Sequence, residues 1–200
     1  MASPVDICNM ALSELGITQF ISSIDPSDGS TQADVCAIHY PAARDHFLRE
    51  FPFRWSTSRA SLALIGSDLV TNWGYVYAYP SDCLRILELT TTAARNPILS
   101  QSVPYEIGNY LGSRVIFTDM ALAEVIYTTR ITDTTMLDPM CVTALANLIG
   151  SRCAMPLAHG ELANNLLQAY YALAAQAWAV DRNEGNPGPA PVGETEAFRS

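Results

Sequence analysis

The side chains best suited to nucleophilic or metal chemistry in this sequence are three histidines and five cysteines. His39 and His46 share one face of a helical stretch and His159 precedes the last helix. None has a partner at the H-x-x-x-H or H-E-x-x-H spacing that zinc requires. Cys36 and His39 lie one helical turn apart, a thiol beside a base, but no third group is spaced to orient the imidazole. Cys8, Cys36, Cys83, Cys141 and Cys153 are odd in number, far apart and without a C-x-x-C pair, which reads as reduced, buried, small hydrophobic residues. Asp82, Glu88, Glu106, Asp119 and Glu124 are scattered over different expected strands and form no acid-base pair. The nucleophile-elbow, dinucleotide and phosphate-loop glycine patterns are absent. No metal, no cofactor and no catalytic residue is expected.

Charge narrows the classes further. The chain has no lysine, so all 11 basic residues are arginine, which excludes Schiff-base, phosphate-loop and general-base lysines. At a net charge of −9, the chain lacks the basic footprint that displaces counterions from nucleic acid, and duplex DNA is expected to pass its surface without sticking. The start Met1-Ala2-Ser3-Pro4-Val5-Asp6 lacks a basic, apolar leader, and no stretch is long and apolar enough for a bilayer. A soluble protein made in the cytoplasm is the expectation.

The elements that must position these side chains follow from periodicity. Ser3, Pro4 and Asp6 start a helix whose Val5, Cys8, Leu12 and Leu15 repeat at three and four before Gly16. A second helix is expected from about Ser30 to Arg49, striped by Cys36, Tyr40, Ala43 and Phe47, with Pro41 bending or dividing it. Asp138-Pro139 starts a third, through Cys141, Leu145, Leu148 and Ile149 to Pro156. A fourth runs from about Glu161 to Glu184, its stripe of Leu162, Leu166, Ala169, Leu173, Ala177 and Val180 too long to face water alone.

Between them the period becomes two. Trp73, Tyr75, Tyr77 and Tyr79 alternate with Gly74, Val76 and Ala78, as in a strand with one aromatic face that serves core and subunit interface. Further runs at Leu84 to Thr90, Arg114 to Thr118 and Ala123 to Ile131 are separated by breakers such as Asn96-Pro97 and Gly108-Asn109. The expected fold is α+β. Residues 1–55 and 136–184 form a helical bundle from both ends of the chain, and residues 56–135 an inserted antiparallel β-sandwich or barrel lobe. Residues 185–200 form an extended Pro/Gly-rich tail in which Phe198 and Arg199 are a candidate anchor.

Six segments in order resemble a known family. They are Asp6-Ile7-Cys8-Asn9-Met10-Ala11-Leu12-Ser13-Glu14-Leu15-Gly16, the stretch Ala33 to Tyr40, and Ala43-Arg44-Asp45-His46-Phe47-Leu48-Arg49-Glu50-Phe51-Pro52-Phe53-Arg54-Trp55. Tyr79-Pro80-Ser81-Asp82-Cys83-Leu84-Arg85, Tyr105-Glu106-Ile107 and Tyr127-Thr128-Thr129-Arg130-Ile131-Thr132-Asp133 follow, ahead of Asp138-Pro139. Their order resembles the tail tubular protein A family of head-to-tail adaptors in short-tailed bacteriophages, although Phe53 stands where that family often has tryptophan. The resemblance implies a structural virion protein: a ring of roughly a dozen subunits under the portal protein, carrying the tail nozzle protein and forming part of the channel through which DNA leaves. The alternatives are another phage connector or tail-completion protein, and a small cysteine-dependent hydrolase using Cys36 or Cys83, which requires a low-pKa, accessible thiol.

Overall fold

The computed structural model describes residues 2–67, 72–91 and 103–184. Within them the protein is α+β, with four α-helices and two antiparallel sheets.

Helix α1 (Pro4–Glu14) begins with a reciprocal cap: Ser3 Oγ accepts from Asp6 N at 3.1 Å, and Asp6 Oδ2 accepts from Ser3 N at 2.8 Å. Helix α2 (Thr31–Glu50) is capped by Ser30, whose Oγ accepts from Ala33 N. Of the two expected effects of Pro41, bending or dividing α2, division does not occur: the helix runs unbroken through it. Its ring faces outward, while Tyr40, Ala43 and Phe47 on the opposite stripe are locked into the core and outweigh one missing backbone bond. Asp138 Oδ1 caps α3 (Pro139–Ala154) by accepting from Met140 N, and α4 (Ala163–Asn183) follows a short 3-10 turn.

Helix α3 packs on α1, α2 and α4 and is buried nearly all round, from Cys141 to Ala154. It is the centre of the bundle. The largest closed side chains here are Tyr170, Phe47, Phe53, Ile7, Leu12, Leu15, Leu48, Leu145 and Ile149. Burying each such side chain contributes roughly 1.5–3 kcal/mol, so both chain ends are tied into one core.

The chain between α2 and α3 forms the lobe. Strands β1 (Thr57–Ser61), β7 (Ala123–Thr129) and β4 (Cys83–Thr91) make one sheet in the order β1-β7-β4. Strands β2 (Leu64–Ser67), β3 (Tyr75–Ala78), β6 (Ser113–Thr118) and β5 (Tyr105–Tyr110) make the other, in the order β2-β3-β6-β5. The two sheets close on Tyr77, Ile86, Leu89, Ile116, Val125 and Tyr127 as a sandwich. Gly108-Asn109, expected as a break, lies inside β5. A Cβ at Gly108 would meet Phe117 Cε2 at 2.7 Å, so the glycine is there for close ring packing. The hairpin turns three residues later at Leu111-Gly112, with φ of 50° and 79°.

Candidate interaction surfaces

Three of the quoted segments meet at the joint between bundle and lobe. Asp82, in the turn before β4, accepts from Thr129 Oγ1 at 2.7 Å and from Tyr127 OH at 3.2 Å, and its carbonyl accepts from Arg130 N at 2.8 Å. The Arg130 guanidinium reaches α2, where Nε donates to Asp45 Oδ2 at 2.8 Å, and Arg44 donates to the other oxygen of the same carboxylate. Arg49, one turn further on, donates to the Leu84 carbonyl. Successive residues of β4 face opposite ways, so Cys83 enters the lobe core and Leu84 the bundle core. The result is a polar, multiply bonded seat that fixes the lobe on α2.

The end of α2 is fastened to α4 in the same manner. Phe47, Phe51 and Phe53 pack around Tyr170, with ring centroids 5.2 to 6.4 Å apart, and Tyr170 OH donates to Glu50 Oε2 at 2.6 Å. His46 Nε2 lies 3.1 Å from the same Glu50 carboxylate. Burial, then the Glu50 hydrogen bond, holds the Tyr170 hydroxyl far above the ordinary phenol range, so it donates at any ordinary pH. Arg54 N donates to Asp181 Oδ2 at 2.9 Å.

All five cysteines are free and buried. Cys8, Cys36 and Cys153 meet in the bundle core, each fully buried. Hydrogen bonding to Cys36, with burial adding to it, raises the thiols of Cys8 and Cys153 far above their ordinary range; Cys36, which receives both bonds, is lowered. Packing turns Cys36 inward while His39 stays at the half-buried surface. Burial raises Cys83, whose thiol donates to Tyr79 OH at 3.2 Å. No group of three or more His, Cys, Asp and Glu among the described residues is arranged to hold a metal ion, and no helix among them is long and apolar enough to cross a membrane.

Neither a family model nor a curated protein matches the chain.

The four aromatics of the expected aromatic strand do not share a face. Tyr77 is enclosed between the sheets and donates to the Met120 carbonyl at 2.9 Å, with Tyr75 and Tyr79 packed partly against the same core. Burial raises Tyr79 to about 12, and the Arg114 guanidinium stacks 4.0 Å from its ring. Trp73 precedes β3 at the Gly74 bend and lies on the outer side with Val76, Val115 and Phe117, its Nε1 donating to Glu106 Oε2 at 3.0 Å. Three of the four thus serve the sandwich, at least in part, and Trp73 covers its back. Phe198 and Arg199 lie outside the described residues.

Sequence reading passed over two leucines. Leu111 and Leu122, at opposite ends of β6, have φ of 50° and 56° and are 85% and 75% exposed. Left-handed backbone is disfavoured for a bulky residue, and water is disfavoured for leucine, so each turn departs from its most stable sequence twice. The signal was present in Gly112, second residue of the two-residue turn Leu111-Gly112 at which Asn-Gly is preferred, and whose N donates to Asn109 Oδ1.

Proposed function

We propose that this chain is a structural head-to-tail adaptor of a tailed bacteriophage. It forms a ring beneath the portal protein, supports the tail nozzle protein, and lets DNA pass without specific binding. The observation that carries this reading is the joint: segments separated by about forty residues each, which make no catalytic arrangement, meet where the lobe is seated on the bundle. Such a seat suits a protein that must hold two surfaces at a fixed angle under load. The net charge of −9 and the absence of lysine support a channel wall that does not trap DNA.

On this reading the bundle is the scaffold, the lobe presents contact surface around Trp73, Tyr75 and Tyr79, and the segment after Gly185 is a tether anchored by Phe198 and Arg199. Removing residues 194–200 is expected to weaken portal binding by about tenfold or more with unchanged melting, because a tethered segment concentrates its affinity in few side chains. The function is tested in the virus. Disrupting the reading frame should yield DNA-filled heads without tails, and mass spectrometry should find the chain in wild-type particles. Normal tailed particles from the disrupted virus would contradict the proposal.

A further inference from the structure

Pro41 has no N–H, so the Ala37 carbonyl, one turn earlier in α2, receives no helical hydrogen bond from that position. Both residues line a groove of about 540 Å³ between α1, α2 and the loop at Asp25. Tyr40 lines it as well. This tyrosine is 4% exposed, and its hydroxyl is buried without a hydrogen-bond partner. Burial raises the phenol to about 12, so the hydroxyl keeps its proton and is a donor without an acceptor. A buried polar group left unpaired destabilises the fold, and a ligand that supplies the bond removes that cost.

Arg44 completes the wall. Its side chain is 12% exposed, and its Nε and Nη2 donate to Asp45 Oδ1 at 3.0 and 2.8 Å, while Arg130 takes the other oxygen of that carboxylate. Two guanidiniums share one carboxylate, which leaves positive charge over, and Arg44 Nη1 makes no hydrogen bond among the described residues. Ala37, Tyr40, Pro41 and Arg44 follow the three-four spacing, so one face of α2 presents an acceptor, a donor and a cation in line. An extended peptide with an acidic side chain answers all three: its C=O accepts from Tyr40, its N–H donates to the Ala37 carbonyl, and its carboxylate meets Arg44. From Ala37 to Arg44 the helix rises about 10 Å, the length of about three extended residues.

This chain carries such a segment in its own tail. Glu196-Ala197-Phe198-Arg199 has an acid for Arg44, an aromatic ring for the apolar wall of Val5, Ile24 and Pro41, and a cation for the exposed Asp25. The α1/α3 groove has no arginine in its walls and adjoins Asp133 and Asp138, so it suits the acid less well. The tail is long enough. Glu184, where it starts, shares a hollow with Asp138, and Thr132 at the edge of the α1/α2 groove is six residues before Asp138, at most about 22 Å of chain. The twelve residues from Glu184 to Glu196 span about 37 Å in the extended form that prolines favour. We propose that in the free chain the segment Glu196 to Arg199 lies in the α1/α2 groove of its own bundle. The contact deepens the tether reading, on which its purpose rests: the tether is held on the bundle until the portal displaces it.

The test is amide hydrogen exchange of the full-length chain, read by mass spectrometry over residues 194–199, with the synthetic peptide of residues 190–200 as the unprotected reference. Exchange is expected to be about fivefold or more slower in the chain than in the peptide. Tyr40→Phe, which keeps the ring, and Glu196→Gln, a change in the segment itself, should each speed it again by about threefold or more, the weight of one hydrogen bond. Neither variant should lower the melting temperature. Exchange at the peptide's rate in the wild-type chain, or slowed exchange that neither variant alters, would overturn the contact. Slowing that vanishes on dilution would overturn it too, because the segment would then sit on a second copy. Portal binding by the full chain is measured separately. Slowed exchange without portal binding keeps the contact and removes the adaptor reading; portal binding with unslowed exchange keeps the adaptor reading and removes the contact.

Discussion

The bundle and the lobe treat their large apolar residues differently. In the bundle, Leu12, Leu15, Leu145, Leu148 and Ile149 are closed around α3, while Met10, Phe20, Ile38, Met155, Tyr171 and Val180 are exposed, none of them in left-handed backbone. In the lobe the core is divided into two small clusters, Leu64 and Ile65 are exposed on the short strand β2, and Leu111 and Leu122 are exposed in left-handed turns. A small sandwich that keeps leucines at its rim in left-handed backbone is less stable than its size allows, whereas the bundle's exposed large apolar residues sit in ordinary backbone. Folding of a single chain does not explain the exposed, left-handed Leu111 and Leu122 of the lobe.

The largest effect that would break this contrast is deletion of residues 1–16, which removes Ile7, Leu12 and Leu15 from the centre of the bundle. At roughly 1.5–3 kcal/mol per large side chain, against a total stability of about 5–15, the protein should fail to fold. A truncated chain with unchanged thermal melting would contradict the shared core. Next is Tyr77→Ala, expected to cost about 3 kcal/mol in denaturant titration because the ring is enclosed and its hydroxyl bonded, while the half-buried Tyr75→Ala costs clearly less. Equal losses would mean that both rings serve the lobe's core alike.

The joint should behave as a set of partly exposed ion pairs. A double-mutant cycle on Asp45→Ala and Arg130→Ala is expected to give a coupling of only about 0.2–1 kcal/mol that shrinks with salt. A larger, salt-independent coupling would make the joint a stability element and not a positional one. The smallest effect concerns the start of α1, where the hydrogen bond from Ser3 N, then that from Ser3 Oγ, lowers the Asp6 pKa. Since the folded pKa lies below the unfolded one, near 3.8, the cap contributes fully above that pH and is lost as pH falls through the lowered value. Asp6→Asn should therefore lower melting slightly at neutral pH and have no effect in strong acid.

Much of the fold was legible because local signals agreed with each other. Ser3-Pro4 and Asp138-Pro139 begin helices where capping chemistry places them, and the stripe of α1 faces the core; on α4 the buried line is Leu166, Tyr170, Ala174 and Ala177, while Val180 of the expected stripe is exposed. Pro41 does not divide α2 because propensity is a local quantity, and tertiary packing of Tyr40 and Phe47 outweighs it. Gly108 misled because a glycine that makes room for Phe117 looks the same in sequence as one that turns the chain. Strands β1, with Thr57-Ser58-Arg59-Ala60-Ser61, and β2 carry little β-branched or aromatic character and are strands because β7 and β3 pair with them. The candidate surfaces were less legible. Period-two alternation gives Trp73 and Tyr77 the same face only if the strand reaches both, and it begins at Tyr75. The exposure of Leu111 depends on which turn conformation the chain adopts, which periodicity does not encode.

The most direct measurement is electron cryo-microscopy of the full chain assembled with the portal protein of its own genome. The account predicts a closed ring of roughly a dozen copies, with the bundle of one subunit against the lobe of the next. A chain that stays monomeric beside intact portal, or a ring whose subunit contacts leave the lobe in solvent, would contradict it.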